Sequence, residues 1–230
     1  MPESITEIKE HCFSYSGLYS IDFPKNLCFL GDNAFYTCSN LEIIDLEKCE
    51  NLKTLNDSVF KDCYRVEKIT LPKNLIEIKE QCFQYTSIKE ITFPDSLKYL
   101  QNRAFMRCEN LESINLKNVE EIGEFCFRNC FNLKNVVFPK NVSKIGVQIF
   151  HSCHNLEEVD YKTNTLLPEN TFYGCKKVNL LVDTDKNKEF KKIFKNKNNV
   201  EIYEPIDYYR DKYKSFKEIN QILKDKDVER

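Results

Sequence analysis

The residues of this chain that could do chemistry are its eleven cysteines and three histidines. Their densest groupings are Cys126-x3-Cys130 and the stretch His151-Ser-Cys153-His154. A zinc site needs four thiolate or imidazole ligands that converge at roughly 2.0 to 2.3 Å, and a Cys/His pair can serve nucleophilic catalysis. The spacing of the cysteines along the whole chain decides between such a site and a structural role.

That spacing follows a repeat of 22 to 25 residues, which is set by phenylalanine. The series is Phe13, Phe35, Phe60, Phe83, Phe105, Phe127, Phe150 and Phe172. Three residues later six units carry a cysteine, and the first and fourth carry Ser16 and Thr86. The six are Cys38, Cys63, Cys108, Cys130, Cys153 and Cys175. This column predicts thiols that are buried as small apolar side chains rather than metal ligands.

The remaining cysteines divide into two groups. Cys12, Cys82 and Cys126 directly precede the repeated phenylalanine, where other units carry small or β-branched residues, so we expect them to pack in the core. Cys28 and Cys49 belong to neither column and are expected to be the reactive ones. Free buried thiols favour a reducing compartment over an oxidising one.

Composition and motifs argue against several classes of function. No Ser/His/Asp or Cys/His order, glycine-rich phosphate loop or HExxH motif is present. The 34 basic and 36 acidic residues give no basic excess for nucleic acid. No apolar run approaches the ~20 residues of a membrane span, and no basic, apolar leader opens the chain. We therefore predict no enzyme, no catalytic residue, no metal and no cofactor.

The elements that position these residues are short strands and turns. Each unit contains an L-x-x-I-x-L/F run, such as Leu111 to Leu116, that is typical of a half-buried strand. A turn such as Pro72-Lys-Asn74 and an apolar pair such as Val119/Ile122 follow. One unit cannot bury its own apolar face, but stacked units form a continuous core. The prediction is a repeat solenoid, a right-handed coil with a parallel β-sheet and short helical turns, of about eight units over residues 1–182.

Residues 183–230 break the repeat and are predicted to form a C-terminal α/β cap and an amphipathic helix. The lysine-rich stretch around Phe190 and Phe194 predicts a short helix, and Val200 to Tyr203 predicts a last strand. From Ile206 to Leu223 a spacing of three and four predicts the amphipathic helix. This helix packs on the cap, or it docks a partner or a second copy.

The repeat resembles the BspA-type leucine-rich repeat over residues 2–182. The resemblance rests on elements such as Ala34-Phe-Tyr-Thr-Cys38 and Ala104-Phe-Met-Arg-Cys108. It rests also on the Ile-Gly pair that stands before this element in other units, as at Ile122-Gly123 and Ile145-Gly146. The third unit departs from it in its turn, and Asp183 takes the last apolar place of the eighth. The resemblance implies a leucine-rich-repeat scaffold with a concave protein-binding face, without enzymatic activity, in adhesion and host contact at the cell surface. That location opposes the compartment favoured by the free cysteines, so localisation stays open.

The candidate binding face follows from strand geometry. The third and fifth residues of each strand point away from the core, so stacking aligns them into two stripes. The predicted partner-binding residues on these stripes are Asp22, Asp45, Lys68, Thr70, Glu90, Thr92, Ser113, Asn115, Asn135, Val137, Glu158 and Asp160. The stripes also include Ser20, Ile43 and, in the last unit, Leu180 and Val182.

The sequence is compatible with two functions. The first is a scaffold that binds a protein partner through the stripes. The alternative is a structural or self-assembling protein that associates through its N-terminal edge or its C-terminal helix, because Met1-Pro-Glu-Ser4 enters the first unit directly and an open strand edge invites pairing.

Overall fold

A computed structural model describes residues 1–195, 197–205 and 208 of the chain. Its elements are β1 Glu7–Ile8, β2 Phe29–Leu30, β3 Ile43–Asp45, β4 Thr54–Leu55, β5 Lys68–Thr70, β6 Glu77–Ile78, β7 Tyr99–Leu100, β8 Ser113–Asn115, β9 Glu121–Ile122, β10 Asn135–Phe138, β11 Lys144–Ile145, β12 Glu158–Tyr161, β13 Val178–Val182, α1 Thr184–Ile193 and β14 Val200–Tyr203. The predicted amphipathic helix between residues 206 and 223 lies outside the described residues, apart from Tyr208.

The predicted strands form one parallel arrangement, which we call the long-strand sheet. It runs β3–β5, continues through bridges that Glu90 makes with Lys68 and Ser113, and then follows β8–β10–β12–β13–β14. The strands β3 and β8 bury their central Ile and expose both of its neighbours. The solenoid with a parallel sheet is therefore confirmed.

The last repeat is paired one residue earlier than we predicted. Glu158 lies opposite Asn179, and Asp160 lies opposite Leu181. Leu180 and Val182, which were expected on the outward stripes, are instead fully buried. The prediction for those two positions is wrong because Leu180, Leu181 and Val182 are all apolar and give no alternation from which to choose the face.

A second parallel arrangement, the short-strand sheet, consists of β1–β2 and of β4–β6–β7–β9–β11. Its strands are two residues long, and each ends in a buried or half-buried Ile or Leu of the second apolar pair. The sequence analysis recognised these apolar pairs but not the strands, because two residues are too few to show a period.

The segments around the repeated phenylalanine differ from the short helical turns that we predicted. In the first seven units the residues two before and two after it have positive φ, as at Arg103 (φ 56°) and Arg107 (φ 59°) around Phe105. The amide groups of these three residues donate to carbonyls of the next unit at 2.8 to 2.9 Å. Positive φ costs a non-glycine residue roughly 1 to 2 kcal/mol, and each bond between units offsets about 1 kcal/mol.

The core is a column of stacked phenylalanine rings. Centroids of neighbouring units lie 5.1 Å apart at Phe13–Phe35 and 6.1 Å apart at Phe150–Phe172. The column continues into the C-terminal elements, because the buried Phe194, which directly follows α1, lies 5.7 Å from Phe172. The helix α1 and the strand β14 thus pack on the end of the array where a cap was expected.

Candidate binding groove

The outward side of the long-strand sheet carries four adjoining depressions that form one groove. Neighbouring depressions share lining residues, which makes the groove continuous from Ile43 to Lys162. Along the chain their volumes are about 460, 920, 580 and 290 Å³. The shared residues are Glu67 and Lys68, then Glu90, Ile91 and Thr92, and finally Asn115, Lys117 and Val137.

The largest of the four depressions, of about 920 Å³, lies where the fourth unit contributes a single bridging residue, Glu90, instead of a strand. At this opening the core side chains Ile69 and Ile91 are 7 and 8 % exposed, whereas the equivalent Ile44 and Val159 elsewhere in the sheet are 0 % exposed. The opening therefore lets core apolar surface reach the floor of the groove. Apolar surface with a polar rim is typical of protein-binding sites.

Ion pairs join successive units, and the pair of Glu67 and Lys89 lines the groove. Lys89 Nζ lies 2.7 Å from Glu67 Oε2, and Lys134 Nζ lies 2.8 Å from Glu112 Oε2. The hydrogen bond and charge of Lys134 lower the pKa of the Glu112 carboxyl below its usual value. All four side chains are exposed, so these pairs add little to stability and much more to the charge pattern of the rim.

Eight of the twelve predicted partner-binding residues line the groove. They are Lys68, Thr70, Glu90, Thr92, Ser113, Asn115, Asn135 and Val137. Asp22 and Asp45 are exposed but lie beyond its end, where Asp22 accepts a hydrogen bond from Lys48 Nζ at 2.7 Å. That bond and the charge of Lys48 lower the pKa of Asp22.

The expected exposure of Glu158 and Asp160 is wrong. They are 9 and 6 % exposed, and Asp160 Oδ2 lies 3.5 Å from Lys162 Nζ. The chain after β14 returns to this part of the sheet. Asn179 lies opposite Glu158 in the sheet, and its side-chain amide donates to the hydroxyl of the buried Tyr208 at 3.4 Å. A contact over this sequence distance leaves no trace in the repeat pattern.

The sequence analysis missed the charged residues that complete the rim. They are Glu42, Glu47, Glu50, Arg65, Glu67, Lys73, Lys89, Asp95, Lys117, Lys140 and Lys162. These residues stand before the strand or in the turn after it, whereas we considered only the outward strand positions. A signal was available, because a lysine or aspartate follows Pro72, Pro94 and Pro139 in the turns.

The cysteine column is confirmed as structural. In all six units the thiol is buried, and its Sγ donates to the carbonyl of the phenylalanine in the preceding unit at 3.1 to 3.2 Å. Burial raises the pKa of Cys108 and Cys175 to about 12. Cys38 is the exception, since hydrogen bonds with Cys63 and Ser16 outweigh burial and lower its pKa to about 7.

Two predictions for the other cysteines need correction. Cys49 is buried, with its Sγ 3.4 Å from the Pro24 carbonyl oxygen, and burial raises its pKa to about 11, so it is not among the reactive thiols. Cys12 was expected to pack and is exposed, because the first unit leaves that side uncovered. Cys28 is exposed as predicted.

The two clusters that suggested a metal site do not converge. Cys153 points into the core, His154 stacks on Phe131 at 4.9 Å, and His151 lies against Tyr173 at 5.0 Å. Within residues 1–195, 197–205 and 208, no group of three or more His, Cys, Asp or Glu side chains could hold a metal ion. In the same residues no helix has the length and apolarity to cross a membrane.

Fold and groove together define a leucine-rich-repeat protein. Comparison with family models matches residues 1–112 and 53–179 to the BspA type leucine rich repeat region, with six copies of the repeat. The chain belongs to this family.

One of the similar solved structures shows the same fold. The leucine-rich repeat protein of T. pallidum is 24 % identical to this chain, with a TM-score of 0.62 over 80 % of this chain and 83 % of that one. A leucine-rich repeat protein from Bacteroides ovatus is 21 % identical, with a TM-score of 0.39 over 89 and 71 %. The pneumococcal vaccine antigen PcpA is 17 % identical, with a TM-score of 0.43 over 88 and 76 %. No curated protein matches the chain.

Proposed function

We propose that this chain is a non-enzymatic scaffold that binds another protein along the groove of the long-strand sheet. The observation that carries the proposal is the continuous groove whose floor reaches the core at Ile69 and Ile91. Membership of the BspA-type family supports it, because the repeat builds an extended surface rather than an enclosed active site.

The groove has the chemistry that protein recognition needs. Apolar anchors surrounded by a polar rim dominate the energetics of protein interfaces. Ile43, which is 52 % exposed, and Tyr64, which is 51 % exposed, offer such an anchor at one end. At about 4.8 Å per stacked strand, the five units from Ile43 to Val137 span about 20 Å, the length of an extended segment of about six residues.

Affinity capture with a matched pair of variants tests the proposal. The groove variant combines Glu47→Lys with Glu90→Lys, two carboxylates that line the groove. The control variant combines Glu10→Lys with Glu124→Lys, two exposed carboxylates that do not line the groove. Both variants change the net charge equally. The proteins captured from cell extracts are quantified by mass spectrometry.

We expect a partner that is retained by the control variant and lost by the groove variant. A partner retained equally by both would show that another surface binds it. Loss from both variants would show that binding depends only on the net charge of the chain, and it would also contradict the proposal. A role in adhesion or host contact follows from the family resemblance, and labelling of intact cells would test for the surface location it requires.

Self-association is the second candidate, and the exposed aromatic side chains of the first unit favour it. Tyr15 and Tyr19 are 71 and 65 % exposed. Exposed aromatic groups favour contact with another chain. Light scattering after size exclusion tests this candidate, and a monomer at all concentrations would contradict it.

A further inference from the structure

We infer that the last depression of the groove is a carboxylate-binding pocket, which selects protein partners that present an acidic side chain at that end. The inference rests on the proposed function and names the partner chemistry of one part of the same groove. The pocket has a volume of about 290 Å³ and is lined by Asn115, Lys117, Asn118, Val137, Pro139, Lys140, Asn141 and Lys162.

The charge of this lining sets the pocket apart from the rest of the groove. Three lysines and no carboxylate line it, whereas each of the other three depressions is lined by at least two carboxylates. Lys117 Nζ lies 3.4 Å from Asp95, and Lys162 Nζ lies 3.5 Å from Asp160, but neither carboxylate lines the pocket. Lys140 is exposed and has no ion pair among the described residues.

The fold holds the amide groups of the pocket so that the amide nitrogen of Asn115 is available as a donor. Asn115 Oδ1 accepts the backbone N–H of Lys117 at 3.0 Å, which fixes the orientation of the amide. Its Nδ2 has no hydrogen-bond partner within the described part of the chain. The side-chain amides of Asn118 and Asn141 donate to Asp95 and to the Val119 carbonyl, at 3.0 and 3.3 Å. A carboxylate in the pocket would therefore meet the Lys140 ammonium and the Asn115 amide.

An acidic peptide segment fits these charges better than a polyanion does. Sulfated glycans and nucleic acids carry negative charge along their whole length. Such a chain would leave the pocket and meet Glu90 and Asp95 in the adjoining depression. A peptide can present its carboxylates at one end only, and its apolar side chains can contact the floor near Ile91 and Val137.

Titrations with defined peptides test the inference. The probe is acetyl-Lys-Val-Thr-Val-Glu-Glu-amide, and its matched control carries Gln-Gln in place of Glu-Glu. The readout is the NMR shift of the Asn115 side-chain amide and of the backbone amides of Glu90 and Thr92. The protein variants are Lys140→Glu and, as the control, Lys144→Glu, which makes the same charge change on the short-strand sheet. A heparin hexasaccharide provides the polyanion for comparison.

We expect the Glu-Glu peptide to shift the Asn115 amide and to bind about tenfold more tightly than the Gln-Gln peptide. Lys140→Glu should remove this preference, and Lys144→Glu should keep it. If both peptides shift Glu90 and Thr92 equally and Lys140→Glu changes neither, the pocket is not selective, although the groove still binds peptide. If neither peptide shifts any groove residue, the proposed function fails as well. Tighter binding of heparin than of the Glu-Glu peptide at Asn115 would assign the pocket to polyanions and overturn the inference.

Discussion

Truncation of one ring in the phenylalanine column should destabilise the whole array. Phe105 is fully buried, and its ring centroid lies 5.3 Å from that of Phe83 and 5.5 Å from that of Phe127. Phe105→Ala removes contacts with both neighbours and leaves a cavity, so we expect the free energy of unfolding to fall by roughly 3 to 5 kcal/mol. Phe105→Leu keeps most of the volume and loses three ring pairs, with Phe83, Phe93 and Phe127. At roughly 0.5 to 1.5 kcal/mol for each pair, it should cost about 2 to 3 kcal/mol.

Urea unfolding followed by far-ultraviolet circular dichroism measures these changes, and thermal melting supports them. A loss of 1 kcal/mol lowers the melting temperature of a chain of this length by roughly 2 to 4 °C, so Phe105→Ala should lower it by about 10 °C. Phe131→Ala is the control, because the Phe131 ring stacks on His154 outside the column. The stacked core would be refuted if Phe105→Ala left the melting temperature unchanged, or if Phe131→Ala cost as much.

Three further predictions concern glycine packing and thiols. Gly123→Ala should cost roughly 1 to 3 kcal/mol in urea unfolding, because its Cβ would lie 2.4 Å from the Asn102 backbone nitrogen. Gly17→Ala, with no atom within 4 Å, should not destabilise the protein, and equal costs would contradict the close packing of units. Native thiol titration should modify Cys12 and Cys28 rapidly, and the nine buried cysteines only after unfolding. Modification of six or more under native conditions would exclude the buried column. Burial raises the pKa of most of these thiols. As the pH rises, the thiols of the unfolded chain therefore lose their protons before those of the folded chain. The free energy of unfolding should keep its full value below a pH of about 8.5 and fall above it. A melting temperature that is constant from pH 8 to 10 would contradict this.

Much of the fold could be predicted because each unit repeats the same residue types at the same depth. The phenylalanine and cysteine columns and the alternation of strands such as β3 and β8 are local patterns that stacking preserves. The short-strand sheet and the positive φ at positions such as Arg103 and Arg107 could not be predicted. Neither is a local preference, since both exist only because the backbone groups of one unit pair with those of the next.

The candidate groove was predicted in part for the same reason. Lys68, Glu90 and Asn115 line it because outward strand positions follow from alternation. The lysines of the turns, such as Lys140, reach it only through the path of the backbone after each strand. The preceding residue, Pro139, marks the turn but does not indicate the direction in which the next side chain points.

The sequence by itself determined the repeat, the residues of the core and the family, because a period of 22 to 25 residues repeated eight times specifies which side chains share an environment. Only the tertiary structure decided where the groove opens and where it ends. The sheet opens at the fourth unit, where Glu90 alone bridges its neighbours, and the outward face closes at Glu158, near which Tyr208 packs. Both features arise from contacts between residues that are far apart in the chain, and the period of the repeat contains no information about them.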